Sequence, residues 1–230
     1  MEYFYTDLSL SKDDKKILIL TSPRSGSTYA TYSIAAEGNL VDYGEAFLIT
    51  DKTIPAIVSK IKTYPNYTVK VFGSQIYYDK DTINELCSIS DKTVYLYRRN
   101  FKEQVLSFLA CLVGEDLWVH EGTTAYIKRH IANSRLPFYN SPFKDRSKTE
   151  VINLPRPSQR LIDMAVNITI ENYEFMAETY QLHPGPVICL EEFKLSAKDN
   201  RVINWEEEFD IPEFDVEELF YMKGLITKAP

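Results

Sequence analysis

Residues 17–28, Ile-Leu-Ile-Leu-Thr-Ser-Pro-Arg-Ser-Gly-Ser-Thr, pass from an apolar strand through a loop of small hydroxylated residues around Gly26 into a segment able to be helical. Such a junction is a phosphate-binding corner. Glycine lets the backbone approach an anion closely, and the first amides of the next helix face it with the positive end of the helix dipole. Ser25, Ser27 and Thr28 add hydroxyl donors, and Arg24 adds a forked cation. The ATP-binding pattern G-x-x-x-x-G-K-[ST] is not met: Ser27 stands where the lysine belongs and Thr21 where the first glycine belongs. Phosphotransfer from Mg-ATP is therefore disfavoured, and the loop's positive charge has moved to Arg24.

A second segment, Thr93-Val-Tyr-Leu-Tyr-Arg-Arg-Asn-Phe-Lys-Glu-Gln-Val-Leu-Ser-Phe108, has the same strand-then-helix grammar. Thr93 to Tyr97 read as a buried strand, and Phe101, Val105, Phe108, Leu109 and Leu112 share one helical face. An arginine at the carboxyl end of a parallel strand lies where open α/β folds bind ligands, and Ser107, two helical turns on, can return to the same mouth.

Together these segments resemble the two signatures of the sulfotransferases that use 3′-phosphoadenosine 5′-phosphosulfate (PAPS). Pro23-Arg-Ser-Gly-Ser-Thr28 is similar to their 5′-phosphosulfate loop. Arg99, with Ser107 eight residues later, is similar to the pair that holds the 3′-phosphate. Arg98 lacks that spacing and is the weaker candidate. The resemblance also implies a base. In the branch that sulfates protein tyrosines, and in several carbohydrate-sulfating relatives, a glutamate follows the loop arginine by about twenty residues, often after glycine. Gly44-Glu45 stands here, Glu45 lying twenty-one residues after Arg24. Glu45 is thus the candidate general base, with Glu37 and Asp42 as nearby rivals. The small-molecule branch uses a histidine two residues after a strand-end lysine. Val69-Lys70-Val71-Phe72 keeps the lysine without the histidine, which favours a carboxylate base and makes Lys70 a candidate for neutralising the transferred group. Tyr29 stands where cytosolic relatives stack a tryptophan on the adenine. The product would be 3′,5′-adenosine bisphosphate (PAP), and no metal is required.

The remaining pattern sets these motifs on a frame. Strands are expected at 16–21, 67–73, 93–98 and 187–190, and helices at about 28–37, 52–63, 80–88, 101–113, 117–132 and 158–182. Strands alternating with helices imply an α/β fold with a mostly parallel sheet covered on both faces. The resemblance makes that fold phosphate-loop NTPase-like. At 230 residues one domain suffices. It has a polar amino-terminal segment at 1–14, a basic loop at 133–158 and an acidic, aromatic tail at 204–230 that packs a helix. Leu190-Glu-Glu-Phe193 resembles a Tyr-Glu-Asp-Leu-like segment of the same family, with leucine in the tyrosine position.

Formal net charge is −7, which argues against a nucleic-acid partner, yet Lys128 to Arg160 carry eight basic residues against two acidic ones. That stretch is expected over the mouth of the site, attracting a polyanionic donor or an acidic acceptor. No run approaches a membrane span, and the three cysteines, Cys87, Cys111 and Cys189, fit a reducing, cytoplasmic setting. His120, His130 and His183 show no ligand spacing. Two other classes stay open: a PAP- or PAPS-binding module without catalysis, and a nucleotide kinase with a degenerate loop. The hydroxyl-bearing acceptor, carbohydrate, tyrosine or small molecule, would be selected by residues 114–160 and the tail.

Overall fold

The computed structural model describes residues 3–4, 13–48, 53–113, 150–192 and 201–228. In chain order the elements are β1 (Tyr3–Phe4), β2 (Lys16–Thr21), α1 (Ser27–Gly38), β3 (Asp42–Glu45), α2 (Ile54–Lys62), β4 (Tyr67–Phe72), α3 (Lys80–Ile89), β5 (Lys92–Tyr97), α4 (Phe101–Val113), β6 (Glu150–Leu154), α5 (Gln159–Leu182), β7 (Val187–Cys189), β8 (Arg201–Trp205), α6 (Val216–Met222) and β9 (Thr227–Lys228). Five strands make the central sheet in the order β3-β4-β2-β5-β7, every pair parallel. Each strand of a parallel sheet is covered on both faces and reads as an unbroken apolar run. Ile17 to Leu20 obey this and are wholly buried.

Crossover handedness decides which helix covers which face. The step from β2 to β3 runs toward one edge of the sheet, whereas the steps from β3 to β4, β4 to β5 and β5 to β7 run toward the other. Right-handed crossovers therefore put α1 on one face and the later helices on the opposite face. The core divides accordingly. Ile17, Ile19, Val94, Leu96 and Ile188 pack under Ala30 and Ile34 of α1. Leu18, Leu20, Val69, Val71, Tyr95 and Tyr97 join the apolar residues of α2 to α6 in a second, larger cluster. The connections from β2 and β5, neighbouring strands, leave in opposite directions and open a crevice beyond their carboxyl ends, the position where open α/β sheets take ligands.

The expected parallel sheet with helices on both faces is present, and the helix of the tail packs through Val216 and Phe220. One expectation is corrected. The segment 133–158 is not a loop throughout, because β6 lies within it and pairs in parallel with β8 from Glu150↔Arg201 to Leu154↔Trp205. A five-residue strand among Pro, Asn and Ser is stabilised by a partner 51 residues away, so its local composition carries little signal. β3 and β8 were likewise unmarked by the pattern. The expected helix at 117–132 and the first part of the basic stretch lie outside the described residues. No described helix is long and apolar enough to cross a membrane.

Candidate active site

The corner after β2 is held by its own hydroxyls. Thr21 Oγ1 donates to the Leu96 carbonyl at 2.9 Å and shares a 2.6 Å bond with Ser25 Oγ. The Ser25 amide bonds the Ser22 carbonyl at 3.3 Å. Ser25 is completely buried, so it builds the loop from inside. Arg24 and Gly26 both take positive φ, 60° and 77°. At Gly26 a second constraint applies: a Cβ there would overlap the buried side chain of Leu190. Gly26 is the N-cap of α1, so no side chain closes that helix end, and its first turn holds no acidic residue. The first-turn amides, Ser27 and Thr28 among them, belong to an end that favours an anion.

Helix α4 braces this loop from the neighbouring strand's side. Gln104, fully buried, donates from Nε2 to the Pro23 carbonyl at 2.7 Å. One turn further, Ser107 Oγ accepts from Arg24 Nε at 3.2 Å. This bond joins the arginine of the first motif to the serine of the second, 83 residues apart in sequence.

On the other side of the loop stands a carboxylate–lysine pair. Lys70 lies within β4, its side chain 3% exposed, and Nζ reaches Glu45 Oε1 and Thr28 Oγ1, each at 2.7 Å. Gln75 Nε2 donates to the other Glu45 oxygen at 3.3 Å. A bulge delivers Glu45 to that position. Asp42 pairs with Thr68 and Glu45 with Lys70, three residues of β3 spanning two of β4. Gly44, at φ 55°, supplies the extra residue, and its amide bonds Asp42 Oδ1 at 2.8 Å. In regular register Gly44 would face Lys70 and the glutamate would project to the opposite side of the sheet. Of the rival carboxylates, Asp42 is engaged in this turn and with Thr68 Oγ1, and Glu37 is exposed on α1.

The end of β5 has a different character. The Arg98 amide donates to Tyr173 Oη at 3.0 Å, and its guanidinium pairs with Glu103 at 2.6 Å. Arg98 Nε, 3.7 Å from Glu191 Oε1, is buried without a hydrogen-bond partner. Glu191 accepts from the amides of Arg99 and Asn100 at 3.0 and 3.1 Å. Partial burial works against the Glu191 charge, but the Arg99 and Asn100 amides outweigh it and hold the carboxyl below its usual range. Burial, followed by the Glu191 carboxylate, pushes the neighbouring Cys189 thiol up to about 12, so that thiol is inert. Arg99 Nε bonds Glu217 Oε1 at 2.8 Å, and its terminal nitrogen bonds Glu192 Oε1 at 2.9 Å. Partial burial opposes the guanidinium charge, and those two carboxylates more than offset it.

The structure therefore brings together Arg24 with Ser107, and Thr28 with Lys70 and Glu45. It separates Arg99 from Ser107 in their bonding, since Ser107 serves Arg24 while Arg99 turns to Glu192 and Glu217. The Tyr29 side chain lies outside the described residues. Sequence reasoning missed Gln104, Gln75 and Glu217. Gln104 sits one helical turn before Ser107 and so shares its face, a signal that was available. Glu217 carried none. Among the described residues no group of three or more His, Cys, Asp or Glu is placed to hold a metal. Comparison of the chain with protein-family models and with curated proteins gives no match.

Proposed function

We propose that this chain is a PAPS-dependent sulfotransferase with a phosphate-loop NTPase-like fold and a carboxylate base. The observation that carries the reading is the Arg24–Ser107 hydrogen bond, which joins the loop of the first motif to the serine of the second. A strand order with the loop strand at its centre supports the same fold type.

In this reading the 5′-phosphosulfate lies on the first-turn amides of α1 and on the hydroxyls of Ser27 and Thr28. Arg24 and Lys70 are cations beside that position, and Glu45 is the proton acceptor. The acceptor hydroxyl forms a bond to sulfur as the sulfur–oxygen bond to the 5′-phosphate breaks. Its proton passes to Glu45 and the bridging electron pair leaves on PAP. Among the described residues each Glu45 oxygen bonds one donor, Lys70 or Gln75, which leaves a second lone pair for this proton. Lys70 Nζ bonds both Glu45 and Thr28, so one buried cation adjoins both the base and the loop. Preorganised charge of that kind is a large term in group transfer.

The test is Glu45→Gln, which keeps the shape and a hydrogen-bond acceptor for Lys70. With radiolabelled PAPS and a panel of tyrosine peptides, sugars and phenols, transfer should fall about 100-fold or more, while calorimetry finds PAP affinity unchanged. Transfer at the wild-type rate would remove Glu45 as the base. PAP binding by the wild type with no transfer to any acceptor would favour the binding module.

A further inference from the structure

We infer that Glu192 is an intramolecular stand-in for the donor's 3′-phosphate on Arg99, and that nucleotide binding displaces it. The inference rests on the PAPS reading above and concerns the second anion position of the same site.

A guanidinium presents a fork of donors, and on Arg99 the positions held by Glu217 and by Glu192 face environments of opposite character. The Nε side is held by Glu217, whose side chain is 9% exposed and whose Oε1 also accepts from Tyr97 Oη at 2.9 Å. Removing that carboxylate would leave a buried phenol and a guanidinium without it, so this half of the fork is structural. The terminal nitrogen is held by Glu192, and both partners there are more than two-fifths exposed. An ion pair of that exposure adds little to stability, because solvent screens it. A phosphate oxygen at the same nitrogen makes an equivalent charge-assisted bond and carries more charge. Glu217 is thus a positioning residue for Arg99, and Glu192 the exchangeable anion.

Local charge requires the exchange. Among the described residues, Arg98 and Arg99 are paired with Glu103, Glu191, Glu192 and Glu217, so these six side chains are net negative. A phosphate dianion entering with all four carboxylates in place would meet repulsion on balance. Glu191 is pinned by two backbone amides and Glu217 by burial. Among the described residues Glu192 has neither restraint. It ends the short turn Leu190–Glu192, whose first residue is buried against Gly26. Leu190 therefore anchors the turn to the phosphate loop, and a side-chain rotation at Glu192 releases the terminal nitrogen of Arg99 from this carboxylate.

The consequence is a donor-specific penalty. A nucleotide carrying a 3′-phosphate has to displace Glu192, whereas one without it does not. Calorimetry on the full chain and on Glu192→Gln, with PAP and with AMP as probes, reads this directly. The variant should bind PAP about fivefold tighter with AMP affinity unchanged, raising the PAP-to-AMP ratio. If the wild type binds PAP and the variant binds it no better, or tightens on both nucleotides alike, the displacement is wrong while the PAPS reading stands. If neither protein binds PAP, both fall. Because Glu192 is exposed and makes one bond among the described residues, the variant is expected to fold, and a thermal melt within about 2 °C of wild type checks this.

Discussion

The crevice has two corners that begin alike, each a buried strand running into a helix beside an arginine, and they end up chemically opposed. After β2 the cations meet hydroxyls: Arg24 bonds Ser107, and Lys70 bonds Thr28 as well as Glu45. After β5 the cations meet carboxylates, with Arg98 and Arg99 set among Glu103, Glu191, Glu192 and Glu217. Shape dominates the first corner, where positive φ, a missing Cβ and an uncapped helix end make the cradle. Charge dominates the second. On the proposed reading, an incoming anion would be an addition at one corner and a substitution at the other.

The sharpest way to break this contrast is at the Lys70–Glu45 pair, whose lysine is buried in the first corner. Glu45→Ala leaves an ammonium that is 3% exposed with only Thr28 to compensate it among the partners described, and should cost about 3–5 kcal/mol in urea unfolding. Lys70→Met leaves a carboxylate that is 24% exposed and still bonded by Gln75, and should cost about 1 kcal/mol. Equal losses would show that burial does not set the difference. Next in size is Gly26→Ala, which combines a disfavoured φ with overlap on Leu190. About 2–4 kcal/mol should be lost, and adding Leu190→Ala should relieve none of the φ component. Full rescue by the double variant would reduce the loop's requirement for glycine to packing alone.

The smallest effect belongs to the second corner and is read by pH. The folded Glu191 carboxyl lies below its ordinary value of 4.5 because amides hold its charged form. A depressed carboxylate contributes stability that is fully present above pH 4.5 and is lost as pH falls through the lower, folded value. The stability gap between wild type and Glu191→Gln should therefore be constant near neutrality and close only below pH 4.5. A gap already closing at pH 6 would point to another group.

How far the site was legible follows the same division. The β2 corner was readable because its determinants are contiguous: an apolar run, Gly26 and the hydroxyls all fall within twelve residues, and their effect is mostly local backbone geometry. Glu45 became a candidate through the family resemblance, yet its pairing with Lys70 depends on a bulge that pattern alone does not reveal. At the β5 corner the arginines were visible and their partners were not. Glu192 and Glu217 come from segments 93 and 118 residues away in sequence, so nothing local announces that Arg99 is already engaged. β6 carries no local strand signal for a related reason, since its stability lies in pairing with β8.

By itself the chain's order of residues determined the alternation of strands and helices, the buried character of the parallel sheet and the glycine turn, because periodicity and backbone allowance act over a few neighbours. Tertiary structure decided which charges meet. Electrostatic pairing acts through space at about 3 Å, and only the packed fold says that Arg24 finds a serine while Arg99 finds two glutamates.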